Sequence, residues 1–133
     1  MRHSLKTLSL ACALGAALVV APRAFAVTQA PLTQSDFDKA QAEGKPILID
    51  VTAPWCPVCA KQHPLLSQLY ETPEFKDLRV FTVDFDSSKP LLRKLGVQMQ
   101  STMIVYHGTK EEGRATGMTS APGIHDLLAK ANA

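Results

Sequence analysis

Apolar residues between positions 45 and 106 gather in three short runs, each bounded by Gly, Pro or charged residues. Ile47-Leu48-Ile49-Asp50-Val51 is nearly continuous, the pattern of a strand buried on both faces of a sheet. Leu78–Asp84 reads as a second strand and Met103–Tyr106 as a third, which His107-Gly108 turns into Glu112–Thr116 to make a hairpin. Helical spacing fills the intervals. Ser35 is placed to cap a helix that carries Phe37 and Ala40 inward and ends near Gly44. A second helix runs from residue 57 through Leu65, Leu66 and Leu69 to about Tyr70, with Pro64 expected to kink it. Ser87 or Ser88 caps a short third helix with Pro90 in its first turn, and Gly96 ends it. A final helix after Gly117 puts Ile124, Leu127, Leu128 and Ala131 on one face. Val27–Thr33 reads as an exposed lead-in. The predicted order is helix, strand, helix, strand, helix, strand, strand, helix: one α/β domain with no internal repeat or linker.

The first 26 residues follow a different rule. Arg2 and Lys6 precede an apolar stretch from Leu8 to Val20, and Ala24-Phe25-Ala26 supplies a small-x-small site. This is the pattern of a secretory signal cleaved near Ala26, which leaves residues 27–133 as the mature domain. The stretch is short for a spanning helix, which needs about 20 apolar residues. Cys12 invites a lipoprotein reading, but the apolar run continues well past it. The segment also changes the charge balance. The whole chain carries a formal +2, yet Arg2, Lys6 and Arg23 all leave with the signal and no acidic residue does. The mature domain is then close to neutral and slightly acidic, so nothing points to nucleic acid.

Only Cys56 and Cys59 remain as cysteines, in Trp55-Cys56-Pro57-Val58-Cys59, directly between the first strand and the second helix. At a helix N-terminus the unpaired N–H groups and the macrodipole stabilise a thiolate on the first Cys. The second Cys lies one turn on, close enough to close a disulfide or resolve a mixed one. Pro57 suits the first helical position, where its missing N–H costs nothing. An exported chain with one such pair is expected to use it for thiol–disulfide exchange. A zinc site usually needs a second ligand pair, and a structural staple would close only a tiny loop.

With these residues in place, the chain resembles the thioredoxin family from about Leu32 to Ala129. The resemblance implies the thioredoxin fold, a central mixed sheet flanked by helices. Asp50 falls where the family keeps a buried carboxylate, Trp55 matches the aromatic before the first Cys, and Pro64 matches the kinking proline. Gly96 and Gly117 match as well. The signal segment makes the chain similar to periplasmic thioredoxin-like oxidoreductases. Three positions depart: Thr52 stands where another Trp is common, Pro57-Val58 replaces Gly-Pro, and Ser101-Thr102 replaces the family's cis-Pro-Thr.

The resemblance implies a role for each matching residue. Cys56, exposed at the helix tip, attacks; Cys59, more buried, resolves; Asp50 accepts the Cys59 proton. Trp55, Pro57, Ser101 and Thr102 form the substrate-docking surface. Val58 offers the thiolate neither charge nor hydrogen bond, which implies a moderate potential. A cis bond before a non-proline costs roughly 2.5–4 kcal/mol, and the expectation is that the fold keeps cis geometry at Gln100–Ser101. The Ser101 hydroxyl could bond a thiolate or substrate, and loss of the proline side chain could make room for a metal. No cofactor is implied. The expected partners are protein thiols and disulfides and a redox partner, such as a membrane electron carrier, that recharges a monomer in the periplasm or secreted fluid. The alternative is a non-enzymatic copper or zinc carrier on the same Cys pair, with His63 one turn from Cys59 as a third ligand and Met99 and Met103 nearby.

Overall fold

The computed structural model describes residues 27–133; the expected signal segment, Cys12 included, lies outside the described residues. Five strands and four α-helices alternate in it. The strands are β1 (Thr28–Pro31), β2 (Pro46–Thr52), β3 (Arg79–Asp84), β4 (Thr102–His107) and β5 (Lys110–Thr116). The helices are α1 (Gln34–Ala42), α2 (Pro57–Tyr70), α3 (Lys89–Leu95) and α4 (Ala121–Ala129), with short 3-10 turns at Pro73–Phe75 and Lys130–Asn132. The sheet order is β1-β3-β2-β4-β5. β1 and β2 pair with β3 in parallel, whereas β4 is antiparallel to both β2 and β5.

The expected lead-in is in fact the edge strand β1, which pairs Thr28–Pro31 with Arg79–Thr82. Its residues are mostly exposed and it ends in proline, so it bears no apolar pattern to betray it. The helix predictions hold with small shifts. Thr33 rather than Ser35 caps α1, its hydroxyl accepting from the Asp36 N–H at 3.1 Å. Pro64 lies inside α2, which runs on to Tyr70.

Alternation along the strands sorts the core into two layers. Ile47, Ile49 and Val51 of β2 face Phe37, Phe81, Leu92 and Tyr106 on the side of α1 and α3. Leu48 faces the opposite way, among Leu66, Phe75, Met103, Ile124 and Leu128 beneath α2 and α4. Asp50 shares the alternation of Leu48, so the strand delivers a carboxyl to the face that α2 covers. β2 is the central strand, and its C-terminal end carries the chain directly into the cysteine motif.

Candidate active site

Cys56 is the N-cap of α2. Its backbone is extended (φ −80°, ψ 109°), Pro57 occupies the first turn, and Cys56 Sγ accepts the Cys59 backbone N–H at 3.1 Å. One of the helix's otherwise unpaired donors therefore points at the first sulfur, which favours negative charge there. Cys56 and Cys59 form a disulfide, with Cα atoms 5.3 Å apart. Cys56 does not stand out at the helix tip as expected: it is only 2% exposed, against 1% for Cys59. With the disulfide closed, both sulfur-bearing residues pack with Ala53, and Val58 and Phe85 lean against them.

Apolar side chains flank the pair in the chain. Trp55 is 58% exposed, and its indole N–H donates to Asp86 Oδ2 at 2.7 Å, so the ring is held at the surface and not in the core. Met99, at 55%, is the other large exposed apolar side chain among the described residues. Pro57, following Cys56, is exposed too. Thr102 is buried instead; its hydroxyl donates to Met99 O and bonds Thr116 Oγ1, both at 2.8 Å.

The Ser101 loop departs from expectation. The Gln100–Ser101 bond is trans, since no cis peptide occurs among the described residues, and Ser101 turns through a left-handed φ of +60°. The energies favour this solution. A left-handed L-residue costs roughly 1–2 kcal/mol, less than the roughly 2.5–4 kcal/mol of a cis bond before serine. The conformation is pinned on both sides. Ser101 N–H donates to Val51 O at 2.8 Å, and Ser101 O accepts from Gly117 N–H at 3.0 Å. The hydroxyl is engaged with the neighbouring Gln100 carbonyl rather than free for a thiolate.

Gln62 is a functional candidate that the sequence did not disclose. It is fully buried on α2, one turn after Cys59, and its amide donates to Ser101 O at 3.2 Å and Met118 O at 3.0 Å. It ties the motif helix to both the Ser101 loop and the loop after β5. A polar residue at an inward helical position was the available signal.

Asp50 is 4% exposed, and its Oδ1 is buried without a hydrogen-bond partner. Burial pushes the carboxyl above the ordinary carboxylate range, partly offset by His63, whose Nε2 lies 3.8 Å from Oδ2. Tyr70, buried near the same carboxylate, is raised in turn, first by its own burial and then by the Asp50 charge. His63 points to Asp50 and Thr52 (Oγ1 at 3.3 Å). No cluster of three His, Cys, Asp or Glu side chains suited to a metal forms among the described residues.

Comparison with known proteins settles the kinship. The protein-family model described as Thioredoxin matches residues 28–130. The chain belongs to the thioredoxin family. A solved thioredoxin-like protein, Trxlp from Edwardsiella tarda EIB202, is 42% identical, covers 76% of this chain and 98% of its own, and superposes with a TM-score of 0.74. A thioredoxin H-type from Fagopyrum esculentum is 30% identical over 71% of this chain and 80% of its own length. Protein disulfide-isomerase erp38 from Neurospora crassa is 34% identical over 71% of this chain but only 28% of that longer protein. This family member is accordingly a thiol–disulfide oxidoreductase, with a thioredoxin fold built on a mixed five-stranded sheet.

Proposed function

We propose that this protein is an exported thioredoxin-like oxidoreductase that exchanges disulfides with protein thiols through its C-P-V-C pair. The observation that carries the reading is the Cys56–Cys59 disulfide at the N-terminus of α2, with the Cys59 N–H on Cys56 Sγ. In the reducing direction, the Cys56 thiolate attacks a substrate disulfide and expels one substrate thiolate. Cys59 then loses its proton to Asp50 and attacks Cys56 Sγ. The second substrate thiolate leaves, the substrate has gained two electrons, and the protein holds the disulfide. The oxidising direction is the same sequence reversed. Asp50 suits the base role because burial brings its proton affinity closer to that of a thiol at working pH. Trp55 and Pro57, exposed on either side of Cys56, supply the apolar docking surface.

Export rests on the Arg2/Lys6, Leu8–Val20 and Ala24-Phe25-Ala26 pattern, with cleavage near Ala26. The mature monomer then works in the periplasm or outside the cell, with a membrane electron carrier or acceptor resetting its redox state. The deciding experiment is a redox titration of residues 27–133 against glutathione and dithiothreitol buffers. A reversible two-electron couple that disappears in Cys59→Ser supports the reading; no couple overturns it. A potential near about −270 mV marks a reductant, and one near about −120 mV a disulfide donor. N-terminal sequencing of the protein from cell fractions tests export, and a mature chain beginning at Met1 in the cytoplasm refutes it.

A further inference from the structure

A buried base must be able to ionise, and Asp50 sits where ionisation is costly. Its Oδ1 has no hydrogen-bond partner, and it lies between the sheet and α2 at 4% exposure. One side of the carboxyl is different. There a cavity of about 190 Å³ opens between β2 and α2, bordered by Asp50, Thr52, His63, Tyr70 and Thr82. His63 stands in its wall, with half of its side chain in solvent, its Nε2 3.8 Å from Asp50 Oδ2 and 3.3 Å from Thr52 Oγ1. Thr52 occupies a position the sequence already marked as departing from the family pattern, and its hydroxyl holds the ring over the carboxyl.

The other groups around Asp50 offer no counter-charge. From α2, Tyr70 is a neutral phenol whose own ionisation Asp50 opposes. β3 presents Thr82, β4 presents Met103 in register with Asp50, and β1 presents Gln29 at the cavity rim. Asp84, opposite Thr52 on β3, is bound by the Ser87 N–H and hydroxyl at 2.8 and 2.6 Å.

We propose that His63 is a positioning residue for the exchange reaction: anchored by Thr52, its imidazole in the protonated form provides the counter-charge that lets buried Asp50 ionise and so accept the Cys59 proton. This rests on the assignment of Asp50 as the base. The Cys59 S–H bond breaks, its proton goes to an Asp50 oxygen, and the Cys59 sulfur keeps the electron pair with which it attacks Cys56. The Asp50 proton later leaves through the cavity, where the half-exposed imidazole meets solvent.

The test uses His63→Gln, which keeps a hydrogen-bonding side chain without the charge, and His63→Lys, which restores a cation. Two readouts are needed: the Asp50 carboxyl titration by carbon-13 NMR, and the pH profile of thionitrobenzoate release from protein loaded at Cys56. In His63→Gln the Asp50 midpoint should move to higher pH, the rising limb of the release rate should move with it, and His63→Lys should return both toward wild type. An unmoved Asp50 midpoint in His63→Gln overturns the inference. If Asp50→Asn is slow while that midpoint is unmoved, only the role of His63 falls. If Asp50→Asn releases at the wild-type rate at every pH, the base assignment itself is wrong.

Discussion

Replacing Ser101 by glycine and by proline should move stability in opposite directions, although proline is the residue the family pattern calls for. Ser101 has φ +60° and donates its N–H to Val51 O at 2.8 Å. Glycine keeps that bond and removes the left-handed penalty of roughly 1–2 kcal/mol. The greater freedom of a glycine in the unfolded chain takes back about 0.5–1 kcal/mol. Ser101→Gly should therefore be neutral to about 1 kcal/mol more stable. Proline requires φ near about −65° and carries no N–H. It strips the buried Val51 carbonyl of its donor at a cost of about 1–3 kcal/mol, and the misfit of its fixed φ adds to that. Ser101→Pro should lose about 3 kcal/mol with the loop in its present path. Urea unfolding of the oxidised protein measures the difference. With a slope of about 1–3 kcal/mol per molar urea, the two midpoints should differ by at least about 1 M. A proline variant as stable as wild type, with a destabilised glycine variant, would show that the left-handed turn and the Val51 bond do not hold this loop.

Other expectations follow from single contacts. Asp50→Asn should stabilise the oxidised protein at neutral pH. The native carboxyl binds its proton more tightly than the unfolded one, so native stability falls as pH rises from the ordinary carboxylate value through the raised one. The variant escapes that loss, by about 1.4 kcal/mol for each pH unit between the two values. The gain should vanish in acid, and urea midpoints across pH check it; a gain that persists in acid would rule out ionisation as the cause. Gln62→Leu should destabilise by about 1–2 kcal/mol, because Met118 O loses its donor while Ser101 O keeps the Gly117 N–H and the unpartnered Oε1 is removed. Amide exchange at Ser101 and Gly117 should also quicken, and unchanged exchange would mean that Gln62 does not hold the loop. His125 pairs with Glu74 (Nε2–Oε2 3.0 Å) and Asp126, which raise its proton affinity, Glu74 first. Its titration midpoint by proton NMR should drop in Glu74→Gln. The associated stability is present below the ordinary histidine value and fades as pH rises through the raised one.

The parts of the fold that bury apolar surface were legible before any coordinates. Ile47–Val51, the Leu-rich stretch after Cys59 and the Ile124–Leu128 face announce themselves by period, because burial on a strand or helix selects residues at that spacing. β1 did not, because an edge strand of Thr, Gln, Ala and Pro gains its place from backbone pairing with β3 and not from side chains. The cysteine motif was legible for a chemical reason, its position between strand and helix. The exposure of Cys56 was misread because helix-tip geometry says nothing of what packs over the tip, here Ala53, Val58 and Phe85.

The least legible residues are those whose partners are distant in sequence, and they concentrate around the departures from the family pattern. Thr52, read only as a missing Trp, bonds His63 eleven residues on. Ser101, read only as a missing Pro, is held by Gln62 from thirty-nine residues away and by Val51 from the end of β2. Both of these changes are matched by a polar contact from α2, which makes the helix bearing the cysteines a common scaffold for them. A substitution at Thr52 or Ser101 should consequently be judged with its α2 partner. Thr52→Val should loosen His63 and reproduce part of the His63→Gln shift in the Asp50 titration, and add nothing when combined with it. Independent, additive effects in that double-mutant cycle would separate Thr52 from the carboxyl and leave it a simple strand residue.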